Sequence, residues 1–172
     1  SGGITGLNNE DVTLSDTTLA VSVLNTLDGN TSGTIDAGNI TTLTGSTADL
    51  TTAYASLTIT GLGDEAISVS SGTASTSQAN TLAAATSGVV TATLSDGDLS
   101  TLAGLTETGN AYSITITDTS VDAAALNTLD GKTTIAIDAS SITTLTGAAA
   151  DLNAAYIANG FSITGLGNEA AT

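Results

Sequence analysis

The chain contains no cysteine, histidine, methionine, tryptophan or proline, and Lys132 is its only basic residue. Each absence closes a class of chemistry. Without cysteine there are no disulfides to staple a small core and no thiolate nucleophile. Without histidine the commonest general base is missing. Lys132 could serve a serine–lysine pair, but Asp130-Gly131-Lys132-Thr133 reads as a solvated turn. Paired carboxylates can hydrolyse glycosides, yet no aromatic platform for a sugar accompanies them here. The chain is therefore expected not to be an enzyme. Against 17 Asp and Glu, one base leaves a formal charge of −16. That excludes nucleic acid as a partner, because phosphate contacts need Lys and Arg, and argues against anionic membrane surfaces. No apolar run approaches the roughly 18 residues of a membrane span, so no membrane insertion is expected. No signal peptide opens the sequence, and any export signal is expected outside it.

Aromatics are also scarce. Tyr54, Tyr112, Tyr156 and Phe161 are the full set, although 40% of residues are hydrophobic. Compact globules usually fill their centres with a few large aromatics. A core of Ala, Val, Ile and Leu suits narrow, regular layers instead.

What the sequence has in abundance is itself. Leu24-Asn25-Thr26-Leu27-Asp28-Gly29 returns unchanged from Leu126, at offset 102. Ile40-Thr41-Thr42-Leu43-Thr44-Gly45, Ala48-Asp49-Leu50 and Ala53-Tyr54 return at the same offset. Ile4-Thr5-Gly6-Leu7 recurs at Ile59 (offset 55) and at Ile163 (offset 159). Residues 1–172 thus read as one run of tandem repeats, approximately 4–58, 59–113 and 114–162, with a further repeat beginning at 163. No linker or domain boundary interrupts them.

Inside the repeats lies a finer pattern. Gly33–Ala37, Leu57–Thr60, Ala66–Ser70, Val90–Leu94, Tyr112–Thr117, Thr134–Asp138 and Phe161–Thr164 alternate apolar with Ser, Thr or Asp, the signature of a strand with one buried face. Ile35, Ile59, Val90, Ile114, Ile116, Ile135, Ile137 and Ile163 are expected to face inward. Between the strands, Ser120–Gly131, Thr146–Tyr156 and, more weakly, Asp16–Leu27 carry helical spacing with cap residues. A unit this small cannot bury its own apolar face, whereas stacked neighbours can. The expected fold is a repeat solenoid of parallel strands with short helical or turn connectors, at about 22 residues per coil. The alternative is a pure β-helix, since connectors such as Ile40–Gly45 could equally be short strands.

The acids suggest a cation. Ca2+ takes six to eight oxygens from carboxylates, amides and carbonyls. The candidate ligands sit in Asx-Gly turns: Asp28 and Asn30, Asp96 and Asp98, and Asp130. A second acidic corner, Asn8-Asn9-Glu10-Asp11, repeats as Gly63-Asp64-Glu65 and Gly167-Asn168-Glu169. Neither the nonapeptide calcium repeat nor the EF-hand loop is present, and the same residues favour caps and turns without any ion. Apart from calcium, no cofactor is expected. The pairs Thr58/Thr60, Thr91/Thr93 and Thr115/Thr117 would make a flat threonine array if stacked in register, the kind of surface that binds ice. Threonine is also an ordinary strand residue.

The phrases Leu24–Gly29, Ile40–Gly45, Ala150–Tyr156 and Ile163–Ala170 resemble the repeats of giant secreted cell-surface proteins of marine cyanobacteria and other aquatic bacteria, including swimming-motility and repeat-adhesin types. The resemblance implies an extracellular or cell-surface location and a structural, matrix or motility role, with no catalytic residue carried over. The expected function is a structural, self-associating segment of an extracellular filament, surface layer or giant repeat protein. A calcium-dependent adhesin or matrix module and an ice-binding protein are the alternatives. The expected partner is a copy of itself, end to end, because Ile4-Thr5-Gly6-Leu7 and Ile163-Thr164-Gly165-Leu166 share one phase and neither reads as a cap. Ile4, Leu7, Ile163 and Leu166 are the expected assembly ends.

Overall fold

Short alternating runs separated by capped helices give a computed structural model that describes residues 8–172. In chain order its elements are β1 (Val12–Thr13), β2 (Thr18–Ala20), α1 (Val21–Asp28), β3 (Ile35–Asp36), β4 (Thr42–Ser46), α2 (Thr47–Ala55) and β5 (Ile59–Thr60). Then come β6 (Ala66–Ser71), α3 (Thr76–Ala85), β7 (Val90–Thr93), α4 (Leu99–Leu102), β8 (Ala111–Ser113) and β9 (Ser120–Asp122). The chain closes with α5 (Ala123–Asp130), β10 (Ile137–Asp138), β11 (Thr144–Thr146), α6 (Ala149–Ala158), β12 (Ile163–Thr164) and β13 (Ala170–Ala171).

Four of the six described helices begin where a short polar side chain takes an orphan amide, while α1 and α6 follow Ala20 and Ala148 without such a cap. Ser46 accepts from the Asp49 amide, Asp98 from Thr101 and Asp122 from Ala125. Ser75 and Gln78 form a reciprocal capping box at the start of α3. α1 and α5 stop at Gly29 and Gly131. The recurring Ile-Thr-Gly-Leu phrase has a steric cause. Gly61 and Gly165 sit at φ +81° and +90°, and a β-carbon there would come within 2.7 Å of the Gly38 or Ser140 backbone.

Among the described residues every strand pair is parallel, and each strand takes its partner from the next layer along the chain, as Thr91 does with Ala111 and Ile137 with Ile163. One apolar cluster runs through the molecule. Leu24, Ile35, Leu43, Leu50, Ile67, Leu102, Ile114, Ile116, Leu126 and Ile137 all lie within it, and Tyr112 is its one buried aromatic.

The strands nevertheless do not close into a solenoid or a β-helix. Among the described residues they divide into four separate sheets, ordered β1-β3-β5, β2-β4-β6-β7-β8, β9-β11-β13 and β10-β12, with six helices beside them, in a compact α/β domain. The break has a local cause. Residues 111–113 pair with β7, but the same chain then turns so that Thr115 bridges Asp138 and the Ile116 amide donates to the Asp138 carbonyl. One extended run therefore crosses from the five-stranded sheet to β10, and the ladder stops there. The Thr-rich stretch Ile40–Gly45 does hold a strand, β4, but α2 begins directly after it instead of another turn of strand.

Ile135 is a second correction. It is 44% exposed. Thr133 accepts a hydrogen bond from the Ile135 amide at 3.1 Å while donating to the Tyr112 carbonyl at 2.7 Å, so this segment is a side-chain-closed turn and the strand starts at Ile137. Thr31 and Thr86 close the same turn onto the Glu10 and Glu65 carbonyls. The equivalent of Ile135 there is Gly33 or Gly88, whose β-carbon would meet that carbonyl at 2.2 or 2.3 Å. The other seven residues expected to face inward are buried.

Ile137→Asp is expected to destabilise by several kcal/mol, because it places a carboxylate without a partner in the core. Ile135→Asp is expected to change stability by no more than about 0.5 kcal/mol. Urea unfolding of the two variants beside the parent measures the contrast.

Candidate functional site

Of the residues singled out as calcium ligands, Asp28, Asp96, Asp98 and Asp130 are engaged in hydrogen bonds. Asp28 accepts from the Ser56 hydroxyl at 3.0 Å and from the Thr58 hydroxyl, tying the end of α1 to the approach to β5. Asp130 repeats this at the end of α5, accepting from Ser162 at 2.8 Å. Asp96 accepts from the Thr76 amide at 2.6 Å. Asp98 is exposed and caps α4; hydrogen bonds from Ser100 and from the Thr101 amide hold its carboxyl below the usual range. Asn30 is exposed. Among the described residues, no three carboxylates gather in a group that could hold a metal ion.

The acidic corners turn inward on themselves. Glu65 is only 1% exposed. One of its oxygens accepts from the amides of Gly63 at 2.8 Å and Asp64 at 3.3 Å, and the other accepts from the Tyr54 hydroxyl. The Glu169 corner takes the amides of Gly167 and Asn168 in the same way. Burial pushes the Glu169 carboxyl up, but Tyr156 and those amides outweigh it and hold it below the usual carboxylate range. Tyr156 stands beside Glu169 without the formed hydrogen bond of the Tyr54–Glu65 pair, since Oε1 of Glu169 meets no donor in good geometry. These corners are thus clasps that join a helix to the turn after the next strand. Nothing in the composition marked them as buried.

Three asparagines make a second staple that sequence reasoning passed over. Asn25 and Asn127 donate to the carbonyls of Asp49 and Asp151, at 2.9 and 3.0 Å. Asn80, the equivalent at offset 55, donates to the Gly104 carbonyl at 2.8 Å. In each repeat, the first helix is pinned to the neighbourhood of the second. The repeated Leu-Asn-Thr-Leu phrase was the available signal.

The threonine pairs do not form one array. Thr60 lies on β5, Thr91 and Thr93 on β7, and Thr115 beside β10, in three different sheets. Tyr112 is buried, and desolvation, aided by the nearby negative charge of Glu107, pushes its hydroxyl up to about 12. It stays protonated at neutral pH and is no candidate base.

The ends of the fold differ from its interior at matched positions. Of the expected assembly residues, Ile4 and Leu7 lie outside the described residues. Ile163 is fully buried against its own chain, paired with Ile137, and Leu166 is 8% exposed, its amide and carbonyl held by Asn159. What stands out at that end is the tail of α6 and the turn after it: Tyr156, Ile157 and Phe161 are exposed, Phe161 by 84%. Leu152 is only partly buried, whereas its equivalent Leu50 is fully buried. At the other end Val12, Leu14, Leu19 and Leu27 are partly buried, while their equivalents Ile114, Ile116, Val121 and Leu129 are buried. Among the described strands, β12 and β13 each pair with a single strand, as do β1 and β2 and, inside the molecule, β8, β9 and β10.

Compared with known proteins, the chain matches no family model, no curated protein and no solved structure. Among the described residues, no helix is long and apolar enough to cross a membrane.

The Tyr54–Glu65 clasp gives a direct test. Tyr54→Phe leaves a buried carboxylate oxygen without its donor and is expected to cost about 1–3 kcal/mol in chemical denaturation. Tyr156→Phe, at the more exposed copy, is expected to cost clearly less in the same measurement.

Proposed function

We propose that this chain is a structural, non-enzymatic unit of an extracellular filament, surface layer or giant surface repeat protein, and that it stacks end to end with copies of itself. The observation that carries the reading is the loss of burial at both ends relative to matched interior positions. Leu129 is buried on α5, which α4 contacts, whereas Leu27 is partly buried on α1, with no described helix before it. Leu50 is buried with α3 following α2, and Leu152 has no described helix after α6. Completing the burial of one such side chain is worth up to about 1.5–3 kcal/mol, and several positions at each end share the deficit. Because the two ends are different surfaces, their contact is heterologous and grows into an open fibre unless its rotation closes.

The extracellular setting rests on the resemblance of the repeat phrases and on the acidic composition. A charge of −16 on each unit opposes stacking at low ionic strength. At about 0.5 M salt, screening shortens to a few ångströms and the opposition fades. Sedimentation velocity at rising protein concentration is expected to show a series of growing species, shifted to lower concentration by added salt. A single monomer peak up to millimolar protein in high salt would sink the proposal.

A further inference from the structure

Asn159-Gly160 is the only Asn-Gly pair in the sequence, and it sits where one repeat is longer than its counterpart. Between the tyrosine near the end of the helix and the isoleucine of the next strand, the first copy has Ala55-Ser56-Leu57-Thr58. The last copy has Ile157-Ala158-Asn159-Gly160-Phe161-Ser162. The added residues form a turn that is held from both sides. Asn159 follows α6, and its side-chain amide donates to the Leu166 carbonyl at 2.9 Å. Its side-chain oxygen accepts from the Leu166 amide at 3.2 Å. The Gly160 amide donates to the Ile163 carbonyl at 2.7 Å. One carboxamide thus serves both backbone groups of Leu166, whose side chain is buried.

The turn calls for both residues. Gly160 sits at φ +87°, which side-chain-bearing residues rarely adopt. Position 159 needs a donor and an acceptor on one side chain, spaced to meet the amide and carbonyl of a single residue, and the carboxamide supplies them. The same pair is chemically reactive, because glycine leaves its own amide nitrogen unshielded. That nitrogen can lose its proton and attack Cγ of Asn159. The bond from Cγ to the side-chain nitrogen breaks, and ammonia leaves with the proton. Water then opens the cyclic imide at either carbonyl, to aspartate or isoaspartate. In the folded turn this attack is blocked. Asn159 has ψ 129°, which turns the Gly160 nitrogen well away from Cγ. The nitrogen is also held by Ile163 and the carboxamide by Leu166.

We propose that Asn159 is a site of spontaneous deamidation gated by this turn: it converts only when residues 159–166 open, and its product does not close the turn again. A carboxylate at position 159 has no proton to donate to the Leu166 carbonyl and repels it. Isoaspartate also adds a carbon to the main chain, between an amide bonded to Ala155 and a glycine bonded to Ile163. Either product leaves the backbone groups of Leu166 without these partners and loosens the segment that carries this leucine into the core. Opening is thereby recorded as a covalent change that refolding does not erase. The site acts within a single chain, whether or not copies stack.

Peptide mapping of the parent chain after incubation at mildly alkaline pH, folded and in urea, measures conversion at Asn159. The folded-state rate is expected to lie about tenfold or more below the rate in urea, because only the open fraction reacts. Hydrogen exchange of the Leu166 amide, which is bonded to Asn159, reports the same opening and is expected to be slowed by a similar factor. Leu166→Ala weakens the anchor of the turn and is expected to speed conversion several-fold in native buffer but not in urea. In Asn159→Asp, the Leu166 amide is expected to exchange several-fold faster while the amides of β4, β6 and β7 keep their protection. Equal rates in the folded chain and in urea overturn the gating. No conversion in urea overturns the site, and unchanged Leu166 exchange in Asn159→Asp overturns the claim that the product leaves the turn open.

Discussion

Parallel pairing of very short strands, each with a partner in the next layer along the chain, is the interaction on which the rest of the structure depends. A strand of two residues, such as β3 or β5, has almost no stability of its own. Its isoleucine is buried only because the next strand sets another isoleucine beside it: Val12, Ile35 and Ile59 are neighbours in one sheet, and Ile137 and Ile163 in another. The helices follow the same rule. Each is eight to ten residues long apart from the single turn of α4, too short to persist alone in water, and each is held by the neighbouring helix and the sheet beneath. Apolar side chains of modest size suffice, because each closes only the gap to the next layer. That is why the chain needs neither tryptophan nor a cluster of phenylalanines.

The polar residues join the same layers by other means. Asn25, Asn80 and Asn127 pin helix to helix, Asp28 and Asp130 bind hydroxyls on the approaches to β5 and β12, and Thr31, Thr86 and Thr133 close turns onto a carbonyl of the preceding layer. These bonds recur at equivalent positions of the repeats and join neighbouring layers. Many of the acids that looked like cation ligands are caps and clasps within this network. The remaining acids face a single base, Lys132, and leave the chain strongly negative.

Much of the local structure was legible because it is carried by local pattern. Period-two alternation located β3, β5, β6, β7, β10 and β12, and the Leu-Asn-Thr-Leu-Asp-Gly phrase located α1 and α5. Other features were hidden for identifiable reasons. α2 and α3 are rich in threonine and serine, poor helix formers, and are held by Ser46, Ser75 and Gln78 at their starts and by packing. The Ser75-Thr76-Ser77-Gln78 capping box is the one local signal for the start of α3. Ile135 fits the alternation but sits in a turn that Thr133 closes, a choice made by a side-chain hydrogen bond. The division into four sheets depends on where residues 111–116 change partners, and no local pattern encodes that. At the ends, the shared phase of Ile4 and Ile163 was visible, but the exposed apolar side chains are Tyr156, Ile157 and Phe161, because Ile163 and Leu166 are consumed by the core.

Native-state hydrogen exchange of the dilute chain tests most directly whether stability comes from neighbouring layers. If it does, the amides linking β4, β6 and β7, such as Ala66 and Ile67, exchange slowest. Protection then falls in both directions, reaching its minimum at β1 and β2 and at Ala170 and Thr172 beside β11. Equal protection from one end of the molecule to the other would contradict the account, because it would mean that the end layers are as well supported as those in the middle.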